Sequence, residues 1–143
     1  MKTIKTDLEL TQNVRVRFGE LDALKMVWHG SYIAYLEDAR EKWGEQYGFG
    51  YMDMYNHGFV APIYDLQLHY RGLATLGDEL AVKITYHHAE GAKMVFHYTI
   101  TNLRTSQIIL TAESVQLFLS KEGEFLPAIP PLYEQWQKQY KLI

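Results

Sequence analysis

The chain has 143 residues and no cysteine, which leaves out thiol nucleophiles, disulfides and thiolate-based zinc sites. Lys and Arg number 14 against 17 Asp and Glu, and the net charge of -3 comes with no basic run, so nucleic acid is not an expected partner. Apolar residues at 48% and charged residues at 22% exclude a disordered or collagen-like chain, and the length suits one domain, 1–143.

The first element is expected at Val14-Arg15-Val16-Arg17-Phe18, where apolar and basic residues alternate as in a half-buried strand, with Gly19 ending it. A mixed connector follows, from Glu20 to Gly30. From Ser31, a plausible N-cap, the spacing of Ile33, Leu36, Arg40 and Trp43 predicts an amphipathic helix that Gly48 and Gly50 terminate. Phe59 to Tyr70 reads as a strand that Pro62 confines to an edge or a bulge. Leu80 to Tyr86, Met94 to Ile100 and Ile108 to Leu119 alternate as three strands joined by short turns, the signature of an antiparallel meander. Pro130-Pro131 opens a terminal helix over Leu132 to Tyr140.

One helix among strands must bury its apolar stripe on a sheet, so an α+β fold is expected. The opposite face of that sheet, with Val95, Ile109, Val115, Leu117 and Leu119, reads as partly apolar and calls for a second copy of the chain. No apolar run of ~7–15 residues follows the basic start as a secretory signal requires. Nothing approaches the ~18 apolar residues of a membrane span. A cytoplasmic protein without membrane contact is therefore expected.

The stretch Phe18-Gly19-Glu20-Leu21-Asp22-Ala23-Leu24-Lys25-Met26-Val27-Trp28-His29-Gly30-Ser31-Tyr32 carries the chemistry. It sets a carboxylate just ahead of a helix N-terminus, where free N–H groups and the positive dipole end suit a polarised carbonyl. From residue types alone, Asp22 reads first as a turn former or a solvated loop residue. The order of residues resembles the hotdog-fold acyl-CoA thioesterases of the 4-hydroxybenzoyl-CoA thioesterase group. Three features carry the likeness: Glu20-Leu21-Asp22 before Val27-Trp28-His29 and Tyr32, Glu37-Asp38-Ala39-Arg40 on the helix, and Leu76-Gly77-Asp78 entering the next long strand.

The resemblance implies a hotdog fold, a long helix wrapped by a five-stranded antiparallel sheet, in a homodimer or homotetramer with the site at the subunit interface. It implies Asp22 as the catalytic nucleophile or general base, and a backbone N–H near His29 against the thioester carbonyl. Trp28, Ser31, Tyr32 and Arg71 are then expected to bind an acyl-CoA substrate, with Arg71 a candidate for the CoA phosphates. No cofactor and no metal are implied. Two positions depart from the pattern: Lys25 stands where glycine is common, and Ser31 where asparagine is common. Since lysine reaches left-handed conformations at a cost, a different loop path is expected.

Glu37 and Arg40, three apart on the helix, are expected to form an ion pair, with Glu37 the alternative carboxylate. The remaining histidines show no metal-ligand spacing. Two further functions stay open: a hotdog-fold acyl-thioester hydratase or dehydratase, and a non-catalytic acyl-thioester binding module.

Overall fold

A computed structural model describes residues 8–143. Strand β1 spans Glu9–Arg15 and a 3-10 turn spans Phe18–Glu20. Helix α1 covers Ser31–Tyr47 and a one-turn helix α2 covers Tyr51–Tyr55. The strands β2 (Phe59–Val60), β3 (Ile63–Tyr70), β4 (Glu79–His87), β5 (Lys93–Asn102), β6 (Gln107–Leu117) and β7 (Leu119–Ser120) follow, then helix α3 (Pro131–Gln139).

The main sheet is five-stranded, in the order β1-β4-β5-β6-β3, and every pairing is antiparallel. Its inner face is built by the alternation read in the sequence: Leu80, Val82, Ile84 and Tyr86 of β4, and Met94, Phe96, Tyr98 and Ile100 of β5, are all buried. Helix α1 lies on this face. Its Trp43 is fully buried and packs on Phe96, Tyr86 and Trp136, with ring centroids 4.7, 5.8 and 5.6 Å away. Truncating so buried a tryptophan costs on the order of 3–5 kcal/mol. Gly48 closes α1 in the left-handed conformation, φ 76°. Pro131 is the first residue of α3, where its missing N–H costs nothing.

Four expectations outside the site need correction. The first strand lies at Glu9–Arg15 rather than Val14–Phe18, because the backbone turns into the 3-10 segment at Phe18. The strand foreseen over Phe59–Tyr70 is broken at Ala61-Pro62 into β2, which pairs with β7, and β3, the edge of the main sheet. The outward face of the sheet is partly apolar through Val95, Val115 and Leu117, but Leu119 lies in β7, off this sheet, and Ile109 is not exposed on it. This face also carries Lys83–Glu9 at 3.2 Å and His97–Glu113 at 3.6 Å, and a bulge beside Ile100 and Thr101 buries Ile109.

The fourth correction is chemical. Arg40 makes no ion pair with Glu37 among the described residues. It is 1% exposed, and its Nε donates to Gln116 Oε1 at 2.9 Å and its Nη2 to the Phe49 carbonyl at 3.4 Å. The rings of Tyr51, Phe96 and Trp43 face the guanidinium at 4.8, 4.8 and 5.2 Å. Aromatic faces thus supply part of the electrostatic attraction that a carboxylate would. Glu37 is exposed and accepts from the Tyr51 hydroxyl at 3.5 Å.

Candidate active site

The segment between the 3-10 turn and α1 folds back on itself as a short hairpin. Leu21 bridges Val27, the Asp22 amide donates to the Met26 carbonyl at 2.8 Å, and the Trp28 amide donates to the Glu20 carbonyl at 2.9 Å. Asp22 is half-buried at its turn. Its Oδ1 accepts from the amides of Leu24 at 2.8 Å and Met26 at 3.3 Å. The carboxylate therefore orders the turn with one oxygen, while Oδ2 takes no hydrogen bond from the described residues. The turn-former and reactive readings of Asp22 are compatible.

Lys25 takes the left-handed conformation itself, φ 66°. The loop thus accepts the strain at this position instead of following a path that avoids it, which corrects the sequence expectation. Two bonds hold the residue: its amide donates to the Asp22 carbonyl at 2.9 Å, and its carbonyl accepts from Thr75 Oγ1 at 2.8 Å.

The hairpin runs directly into α1. Gly30 is the N-cap and Ser31 the first helical residue, so Ser31 does not cap the helix. Its hydroxyl donates instead to the Glu20 carbonyl at 3.0 Å and ties the helix start to the hairpin. The amides of His29 and Gly30 donate to no backbone carbonyl or side chain among the described residues. Trp28 lies across this end: a Cβ on Gly30 would sit 2.1–2.7 Å from its ring, so glycine is what permits that approach. The His29 side chain is exposed and its ring lies 4.9 Å from that of Trp28. The His29 carbonyl accepts from the Tyr70 hydroxyl at 2.9 Å.

Tyr32 is buried edge-on against Tyr35 and Tyr70, at 5.9 and 5.7 Å. Burial pushes its hydroxyl pKa up, and the Ala74 backbone offsets part of that rise. The structure thus brings Asp22, Trp28, His29, Ser31 and Tyr32 together on one hairpin and helix start. Arg71 follows Tyr70 at the end of β3, and its Nε donates to Thr111 Oγ1 at 3.1 Å. That contact draws Arg71 toward the outward face of the sheet.

Sequence reasoning quoted Glu20 within the motif without giving it a role, and it missed Tyr70. Glu20 is a hub: its Oε1 accepts from the Arg17 amide at 2.9 Å and the Tyr35 hydroxyl at 2.8 Å. Burial, followed by the Glu20 hydrogen bond, drives the Tyr35 hydroxyl pKa well above its ordinary value. Tyr70 lies 41 residues from the carbonyl it holds, so no local spacing could have announced it. Among the described residues no group of three His, Asp or Glu side chains is placed to hold a metal ion, and no helix is long and apolar enough to cross a membrane.

Residues 16–137 match the family described as the thioesterase-like superfamily. The chain belongs to the thioesterase-like superfamily. The match is to this superfamily as a whole and does not single out its 4-hydroxybenzoyl-CoA group. A relative in Bacillus subtilis (strain 168), named "Putative acyl-CoA thioesterase YneP", is 26% identical over 134 residues, covering 91% of this chain and 96% of that protein.

The crystal structure of a DHNA-CoA thioesterase from Staphylococcus aureus superposes with a TM-score of 0.82 at 20% identity, over 94% of this chain and 91% of that one. A 12:0-ACP thioesterase from Umbellularia californica also reaches 0.82, at 14% identity, over 93% of this chain and 54% of that one. At these identities the structural likeness establishes the fold. This thioesterase-superfamily chain has the hotdog fold, an α+β arrangement with its long helix on a five-stranded antiparallel sheet. Since both neighbours share that fold although one is named for CoA and the other for ACP, the fold alone does not choose the carrier.

Proposed function

We propose that this protein is an acyl-CoA thioesterase that hydrolyses its substrate to free acid and CoA, with Asp22 as nucleophile or general base. Superfamily membership over residues 16–137 supports thioester hydrolysis as the reaction class. The observation that carries the site is the pair of free amides, His29 and Gly30, at the start of α1, on the same hairpin whose turn presents Asp22 Oδ2. Amides fixed at a helix N-terminus stabilise a thioester oxygen as it gains negative charge, without reorganising during the reaction. Asp22 either takes a proton from the water that attacks the carbonyl carbon, or attacks that carbon itself to give a mixed anhydride that water then opens to the free acid; on both routes the C–S bond breaks and CoA leaves as the thiolate. Trp28 is the exposed wall beside the acyl group, Ser31 and the buried Tyr32 support it from behind at the helix start, and Arg71 meets the CoA phosphates.

We further infer a cytoplasmic homodimer or homotetramer. Phe18, Leu24, Tyr70, Leu73 and Leu76 are exposed around the hairpin, and a second copy of the chain covers such apolar surface.

The test is thiol release from acetyl-, dodecanoyl- and benzoyl-CoA by the wild type and by Asp22→Asn. The amide keeps the size of the side chain but neither attacks nor accepts a proton, so kcat falls by ~10²–10⁴ with a much smaller change in KM. Asp22→Asn at full activity, with Glu37→Gln inactive, moves the acid to the helix. Hydration of crotonyl-CoA without thiol release replaces hydrolysis with hydratase chemistry.

A further inference from the structure

The reactive hairpin is held from outside by the turn that precedes β4. Met26 bridges Thr75, the Val27 amide donates to the Ala74 carbonyl at 2.9 Å, and Thr75 Oγ1 donates to the Lys25 carbonyl at 2.8 Å. The last of these bonds meets the hairpin at Lys25, its left-handed residue. The amide of Lys25 in turn donates to the Asp22 carbonyl, and Met26 donates to the Asp22 carboxylate.

Thr75 is itself fixed. Its amide donates to Asp78 Oδ2 at 3.0 Å, and the Asp78 amide donates back to the Thr75 carbonyl at 3.1 Å. The buried Asp78 carboxylate is clamped by Asn102 Nδ2 at 2.9 Å and by Arg104, whose Nε and Nη2 donate at 2.7 and 3.1 Å. Gly77, at φ 82°, supplies the conformation that lets this turn close. A continuous set of hydrogen bonds thus runs from the β5–β6 turn, through Asp78 and Thr75, to the backbone on either side of the Asp22 contacts.

We propose that Thr75 is a positioning residue for catalysis: its hydroxyl, aimed by Asp78, fixes the left-handed Lys25 and so sets where the Asp22 carboxylate points. The inference rests on Asp22 being the reactive group. It goes beyond that assignment by giving the Leu76-Gly77-Asp78 turn a part in the rate, acting through Thr75 and without contact with substrate. A carboxylate displaced by about 1 Å can lose on the order of 10²-fold in rate, so a single hydroxyl has leverage here.

The experiment compares wild type, Thr75→Val, Thr75→Ser and Asp22→Asn in thiol release from acetyl-, dodecanoyl- and benzoyl-CoA. Amide hydrogen exchange is followed over Leu24 to Val27. Valine keeps the branched shape and removes only the donor, so the expected result is kcat lower by ~10–100-fold with KM within about twofold. Exchange at Leu24 and Met26 should be faster while α1 stays protected. Serine, which retains the hydroxyl, should restore both readings.

Thr75→Val with wild-type kcat and wild-type exchange overturns the inference, and does so alone if Asp22→Asn is inactive. Thr75→Val that lowers kcat and is not rescued by serine also overturns it, since shape rather than the hydroxyl would then matter. Full activity in Asp22→Asn, or no thiol release by the wild type, overturns the Asp22 assignment and this role with it. Hydrogen exchange in Thr75→Val then reports only whether the hydroxyl orders the loop.

Discussion

Asp78→Asn should remove a pH-dependent part of the protein's stability. The Asp78 side chain is 5% exposed and that of Arg104 59%. The Arg104 hydrogen bonds, against the opposing effect of burial and with help from the Thr75 amide and Asn102, hold the Asp78 carboxyl at about 2 rather than 3.8. At full strength that lowering is equivalent to about 2.4 kcal/mol. Solvent around the exposed Arg104 screens the interaction and reduces this to about 1–2 kcal/mol.

The sign follows from where each state binds the proton. The unfolded chain takes it near pH 3.8 and the folded chain near pH 2. The contribution is therefore complete above about pH 4 and drains away as pH falls toward about 2. Asparagine has no proton to bind, so the variant lacks this dependence. In urea unfolding, wild type and Asp78→Asn should differ most at about pH 6, and the gap should narrow by about 1–2 kcal/mol near pH 2. A gap that is constant with pH, or wider in acid, would refute the assigned ion pair.

Two further outcomes follow from the site. Lys25→Gly relieves a left-handed strain of ~1–2 kcal/mol but loses ~0.4–1 kcal/mol through unfolded-state entropy, so a net gain of about 0.5–1 kcal/mol is expected. Thermal unfolding should rise by about 2–4 °C, with Lys25→Ala as the control that should not gain. Tyr70→Phe removes the donor to the His29 carbonyl, worth about 0.5–1 kcal/mol, and should lower kcat by about two- to fivefold in the thiol-release assay. An unchanged kcat would show that the helix start is held without Tyr70.

The sheet was legible because β4, β5 and β6 bury one face, so Leu80 to Tyr86 and Met94 to Ile100 alternate without interruption. Helix α1 was legible for the same reason and because glycine ends it. β1 was not: Gln12 points inward at a place where the pattern calls for an apolar residue, and the clearer alternation beyond it runs off the strand. A one-turn helix such as α2 is too short to show any period. Arg40 was misread because spacing brings it near Glu37 but says nothing of burial. At the site, the hairpin and helix start came from contiguous residues. Its fastening did not, since Thr75 and Lys25 are 50 residues apart and only the folded sheet makes them neighbours.

The indole that rests on Gly30 gives this protein an optical handle. Of its three tryptophans, Trp43 is 0% and Trp136 4% exposed, while Trp28 is 49% exposed at the helix start. Two emitters sit in dry aromatic surroundings and should fluoresce toward the blue, whereas the third, in contact with water, supplies the red edge of the spectrum. An acyl chain settling against the hairpin would dry that one ring and leave the other two untouched. Occupancy of the site can thus be followed by the native emission colour, with no label and no turnover.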